Sequence, residues 1–78
     1  MNVSGIVVGF APGLRQSCLE ALAALEGVDV YAVEGDRAVI TQETASSAEQ
    51  EEGLRRIQAV PGVASAALVY HWFEEDAP

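Results

Sequence analysis

The sequence of 78 residues has no lysine, a single cysteine and few aromatic residues. Four arginines stand against twelve carboxylates, a formal net charge of −8, and so acidic a surface repels nucleic acid and anionic lipid but attracts basic partners. One cysteine, Cys18, cannot form an internal disulfide, so a reducing cytoplasm is the expected compartment. Apolar runs stay far below the roughly 18 residues of a membrane span, and no basic stretch precedes the first of them. We therefore expect neither a membrane span nor a signal peptide.

Few residues are available for chemistry. A metal site needs two or more thiolates or imidazoles at close spacing, and the only such side chains, Cys18 and His71, fall on different predicted elements. Cys18 lies on an apolar helix stripe and is expected in the core. His71 has no adjacent nucleophile, and the glycines before residue 14 miss the spacing of a phosphate-binding loop. The sequence predicts no metal site, no cofactor and no enzyme.

Hydrophobic periodicity divides the chain into six elements. We predict strands over residues 3–10, 28–33, 37–41 and 63–73, with helices after Pro12 and after Ser46. Gly35-Asp36 indicates a two-residue hairpin turn between the second and third strands. Ser46 and Glu49 have the spacing of a capping box at the start of the second helix. Helix-to-strand junctions containing Gly27 and Gly62 recur 35 residues apart, a weak internal repeat.

The order β-α-β-β-α-β over residues 1–78 predicts one α+β domain of the ferredoxin-like sandwich type. Right-handed crossovers then give a four-stranded antiparallel sheet in the order 4-1-3-2, with both helices on one face. Seven apolar residues of the helical segments are expected to pack on that face: Leu14, Cys18, Leu22, Leu25, Leu54, Ile57 and Val60. The other face of the sheet is left without cover from the chain.

The last predicted strand, residues 63–73, carries no charge and lacks the apolar–polar alternation of a strand with one wet face. A domain of this size buries only about 60 % of the surface that its unfolded chain exposes. We therefore expect a bound partner, rather than the chain itself, to cover the second face of the sheet. Alternation places Leu68 toward the helices and Ala67, Val69 and His71 on the open face. The sequence thus predicts a binding module whose site includes these three residues.

The same strand carries a family resemblance. The run Gly-Val-Ala-Ser-Ala-Ala-Leu-Val-Tyr-His over residues 62–71, followed by an acidic tail, resembles the NapD family of assembly chaperones for periplasmic nitrate reductase. Residues 4–8, 25–30 and 35–41 are similar to the family's first strand, helix-to-strand junction and hairpin. The resemblance extends from residue 3 to about residue 75.

The resemblance implies a cytoplasmic chaperone that binds the twin-arginine signal peptide of the nitrate reductase catalytic subunit. Such a chaperone delays export until the molybdenum cofactor is inserted, and it carries no cofactor itself. An open apolar sheet face suits the helix-forming part of a signal peptide, and surrounding carboxylates suit the arginine pair. The partner would be this precursor rather than nucleic acid or membrane, and the chain a monomer or weak dimer.

A second interpretation stays open at this point. Small-molecule-sensing regulatory domains share the ferredoxin-like fold and pair through sheet edges or faces, which would explain the apolar last strand by self-association. A tight dimer without affinity for a signal peptide would favour that interpretation.

Overall fold

The fold consists of four strands and two helices in the predicted order. The computed structural model describes residues 2–73, and side chains over residues 2–69. Its elements are β1 (Asn2–Phe10), α1 (Arg15–Ala23), β2 (Val28–Glu34), β3 (Arg37–Thr44), α2 (Ser47–Gln58) and β4 (Val63–Phe73). Among the described residues, no helix is both long and apolar enough to cross a membrane.

The strands form one antiparallel sheet in the order β2-β3-β1-β4. This is the predicted order read from the opposite edge, and the ferredoxin-like α+β prediction is confirmed. Strand alternation puts one side of β1 and β3 into the core, where Cys18 and Leu22 of α1 and Ile57 of α2 are fully buried. Their partners on the sheet include Ile6 and Ile40, also fully buried. Both helices therefore lie on one face.

Local signals in the sequence set the ends of the elements. Gly35, with a φ of 57°, begins the two-residue hairpin turn between β2 and β3. At the start of α2, the Glu49 backbone N–H donates to Ser46 Oγ over 3.2 Å. The Glu49 carboxylate in turn accepts the Ala45 N–H at 2.9 Å, one residue earlier than in the usual capping box. The predicted cap is confirmed.

The internal repeat is visible as two equivalent helix-to-strand junctions. The Val28 N–H donates to the Leu25 carbonyl at 3.3 Å, and the Val63 N–H donates to the Val60 carbonyl at 3.1 Å. Within the second junction, between Val60 and Val63, Gly62 has a φ of 94°, a backbone conformation that favours glycine. A Cβ at this position would stand 2.6 Å from Cys18 Sγ. The second junction is therefore closed tightly against α1.

We expect Gly62→Ala to destabilise the protein by about 1–3 kcal/mol, because it combines a strained φ with a clash against Cys18. Gly13→Ala is the matched control, since Gly13 has a φ of 79° with open space around it. Urea unfolding of both variants measures the difference. Equal losses would show that backbone strain alone acts at Gly62 and that the contact with Cys18 is unimportant.

The prediction that Leu14 packs in the core is wrong. Pro12 and Gly13 form a turn, so α1 begins at Arg15 and Leu14 occupies the position before its first turn. Leu14 consequently lies at the exposed end of the apolar helix stripe, beside Gly62, and it is 43 % exposed. The other six predicted core residues are buried or pack against the buried cluster.

The register of β4 departs from the regular alternation assumed from the sequence. Shifts in the pairing with β1 leave Ala64 and Val69 without a partner, as expected where a β-bulge adds a residue to one strand. A shift in the β2–β3 pairing likewise leaves Tyr31 without a partner, and Tyr31 is 79 % exposed. Residues before and after a bulge cannot be assigned to faces by counting alternate positions along the strand.

Candidate functional site

The sheet face opposite the helices, called the open face below, is crossed by an apolar stripe. The register aligns four residues, one on each strand: Ala32, Val39, Val7 and Ala67. Val7 lies between the buried Ile6 and Val8, so it belongs to the side of β1 away from the helices. Val7 and Val39 are partly buried and the two alanines are exposed. The stripe therefore presents short apolar side chains across the whole width of the sheet.

Glycines keep the sheet surface low on both sides of Val7. Gly5 and Gly9 occupy the same side of β1 two residues before and after it, and neither has a side chain to raise the surface. Ser65 lies over Gly9 so closely that a Cβ there would come within 2.6 Å of its Oγ. Between Val7 and the β2–β3 hairpin is a shallow depression whose lining includes Ala32, Glu34, Arg37 and Val39. The open face thus forms a shallow apolar floor.

Charges are distributed unevenly along the open face. At the hairpin end, Glu34 is paired with Arg37 across β2 and β3, so the charges offset each other. At the opposite end, Asp29 is paired with Thr41 and Glu43 with Val3, which adds two negative charges. A ligand with one basic end is therefore attracted with that end toward Glu43 and away from Arg37.

Comparison with known proteins identifies the family of this chain. The family model described as NapD protein matches residues 1–75. The chain belongs to the NapD family. Among solved structures, the solution structure of the E. coli Tat proofreading chaperone protein NapD is similar, with a TM-score of 0.82 and 23 % sequence identity. The match covers 97 % of this chain and 82 % of that chain, and at this identity it shows the shared fold. No curated protein matches at a significant level.

The three predicted site residues of this NapD-family chain differ from one another in where the structure places them. Ala67 lies opposite Val7 on the open face, in agreement with the assignment made by alternation. Val69 is 56 % exposed but lies at a bulge, where alternation fails. The backbone of His71 is paired with that of Ser4, and its side chain is outside the described residues. Their role in binding stays a prediction.

Sequence reasoning missed the centre of the stripe because it considered β4 alone. Val7 and Val39 contribute the partly buried middle of the stripe. The alternation of β1 did contain a signal: Val3, Gly5, Val7 and Gly9 share one side of that strand. Only the pairing of β1 with β3 shows that Val7 and Val39 are neighbours.

Cys18 is a core residue in this NapD-family chain. The thiol is fully buried and donates to the Pro61 carbonyl oxygen at 3.3 Å. In the described part of the chain, no three His, Cys, Asp or Glu side chains are grouped closely enough to hold a metal ion. The thiol thus links α1 to the α2–β4 junction.

Proposed function

We propose that this NapD-family chain is a cytoplasmic chaperone for the catalytic subunit of a periplasmic nitrate reductase. It binds the twin-arginine signal peptide of the precursor and delays export until the cofactor is inserted. Membership of the family supports a chaperone role, as does the fold shared with the E. coli Tat proofreading chaperone NapD. Its action is binding without catalysis.

The observation that carries the proposal is the apolar stripe on the open face. Neighbouring strands are about 4.8 Å apart, so a stripe across four strands is about 14 Å wide. A helix with its side chains is about 10–12 Å in diameter. The stripe is therefore wide enough to support one helix lying on the sheet. The apolar segment of a twin-arginine signal peptide, folded as a helix, meets that requirement.

Short side chains in the stripe favour close approach of the bound helix. Ala32 and Ala67 are exposed at its two ends, and Gly5 and Gly9 flank its centre. Burial of the apolar stripe against the leader provides the affinity, at roughly 25 cal/mol for each Å² removed from water. The net charge of −8 attracts the basic end of the leader over longer distances and speeds association more than it strengthens the complex.

A calorimetric titration with a synthetic twin-arginine leader of a nitrate reductase catalytic subunit tests the proposal. We place Val69, two residues after Ala67, under the leader helix as well, so Val69→Asp should weaken binding because the new carboxylate would be buried there without a partner. The free variant should remain folded, since Val69 is 56 % exposed. Raising the salt concentration should slow association because it screens the carboxylates.

A leader with both arginines replaced by glutamine is the matched ligand control and should bind less tightly. Equal affinity of the unmodified leader for the wild-type protein and for Val69→Asp, at low and at high salt, would remove Val69 from the site. A tight dimer that fails to bind the leader, observed by analytical ultracentrifugation and calorimetry, would instead favour the ligand-sensing regulatory domain.

A further inference from the structure

The open face carries two exposed hydrogen-bond donors at its hairpin end. The register places Arg37 of β3 and Ser65 of β4 on either side of Gly9, which lies between them on β1. Both side chains are exposed, and Gly9 has no side chain to separate them. Ser65 Oγ already reaches over Gly9, since a Cβ there would come within 2.6 Å of it. The two donors therefore border the same side-chain-free position.

The donors of Arg37 and Ser65 are not used by the described part of the chain. Over residues 2–69, Arg37 forms no ion pair, and neither side chain donates a hydrogen bond. Glu34, across from Arg37 on β2, offsets its charge at long range but does not occupy the guanidinium. A guanidinium has five N–H donors and a hydroxyl has one, so several donors are available to a ligand.

The hairpin that precedes Arg37 is held in place by other contacts. Arg15 Nη1 of α1 donates to the Gly35 carbonyl at 3.2 Å, and the Phe10 N–H donates to the Asp36 carbonyl at 2.8 Å. These bonds hold both turn residues against the body of the domain. The backbone position of Arg37 is thus set before a ligand binds, and its side chain takes no part in these bonds.

We propose that Arg37 caps the carboxyl-terminal end of the signal-peptide helix over the position of Gly9, where Ser65 offers a second donor. The inference rests on the proposed function and adds the direction in which the leader lies on the open face. The last four carbonyl groups of a helix have no partner within it, and this end carries the negative pole of the helix dipole. Arginine side chains donate to such carbonyls in proteins. A leader helix that ends over Gly9 brings these acceptors to the two donors.

The length and the charges of the open face fit this direction. Arg37 and Glu43 are six residues apart on β3, about 20 Å at the rise of an antiparallel strand, and a helix of about 13 residues has the same length. Val39 of the apolar stripe lies between them on the same side of the strand. Asp29 and Glu43 make the far end negative and attract the basic segment before the helix. Both ends of the leader therefore favour the same direction.

Paramagnetic relaxation, measured by NMR on the isotope-labelled protein, reads the direction of the leader independently of its affinity. A nitroxide attached at the carboxyl-terminal end of the leader's apolar segment should broaden the amide signals of Gly9, Asp36 and Ser65. A nitroxide attached before the arginine pair should instead broaden those of Val3 and Glu43. The reverse pattern, or equal broadening of both groups by either label, would overturn the inference while leaving leader binding intact.

Arg37→Gln should weaken leader binding about two- to fivefold in calorimetry, the range of one charged group at a helix terminus. Arg55→Gln is the matched control, because Arg55 is exposed on α2, on the helix side of the sheet. Both variants make the protein more acidic, which by itself favours a basic leader. A loss confined to Arg37→Gln therefore has the opposite sign to an effect of net charge. Unchanged or tighter binding by Arg37→Gln, or an equal loss in both variants, would overturn the inference.

A double-mutant cycle with the leader's own carboxyl end separates this inference from the proposed function. Two leaders that stop at the last residue of the apolar segment, one with a free carboxylate and one amidated, differ by one negative charge at the helix end. The change from amide to carboxylate should be about two- to fivefold more favourable for affinity with the wild-type protein than with Arg37→Gln. Identical changes would overturn Arg37 as the cap, with leader binding itself intact. If neither leader bound the wild-type protein, the proposed function would be wrong and this inference with it.

Discussion

Ala67→Lys is expected to weaken binding of the twin-arginine leader at least about tenfold, because an ammonium group buried without a partner costs more than 1.4 kcal/mol. In the free protein Ala67 is exposed on the open face, so water solvates the new side chain and the fold is retained. In the complex the leader helix covers the same position opposite Val7. Calorimetry with the wild-type leader measures the loss, and circular dichroism checks the fold.

Ala23→Lys is the matched control for charge. Ala23 is exposed at the end of α1, on the helix side of the sheet, and its substitution changes the net charge by the same amount. We expect its effect on leader affinity to be small, since long-range attraction acts mainly on the association rate. If both lysine variants lost affinity equally, net charge rather than the open face would govern binding. An unchanged affinity for Ala67→Lys would remove the stripe from the site.

Leu22→Ala is expected to destabilise the fold by about 2–5 kcal/mol, since it leaves a cavity in a packed core. Leu22 is fully buried between α1 and the sheet, within the cluster that includes Ile6, Ile40 and Ile57. Whole domains are stable by only about 5–15 kcal/mol, so this loss threatens a domain of 78 residues. Urea unfolding, with an unchanged dependence on urea concentration, measures it.

Leu14→Ala removes the same atoms from the same segment and is the control for burial. Leu14 is 43 % exposed, so we expect a loss below about 1 kcal/mol, in the range of surface substitutions. Similar losses for the two variants would mean that α1 packs through a different side. A loss below about 1 kcal/mol for Leu22→Ala would contradict the described core outright.

These two groups of variants separate the faces of one sheet. Successive side chains of a strand point to opposite faces, so Ile6 and Val8 stabilise the fold while Val7 between them lies on the surface proposed for binding. Substitutions on the open face should therefore change affinity with little effect on stability. Substitutions at Leu22 should reduce the folded fraction, with the affinity of the remaining folded protein unchanged.

Local features determined much of the fold from the sequence alone. Gly35 marks the hairpin turn between β2 and β3, and the Ser46–Glu49 cap marks the start of α2. Both depend only on residues close together in the chain. The inward stripe of Cys18 and Leu22 follows from helical periodicity within one segment. The order of the elements and the division into a helix face and an open face could therefore be predicted, and with them the resemblance to NapD.

Only the tertiary structure decided which residues meet on the open face. The bulge at Val69 arises from pairing between β1 and β4, which are distant in sequence, so counting along β4 alone cannot place it. The central stripe likewise requires the pairing of Val7 with Val39. Chain folding, and no local pattern, sets the distances between residues as far apart in sequence as these.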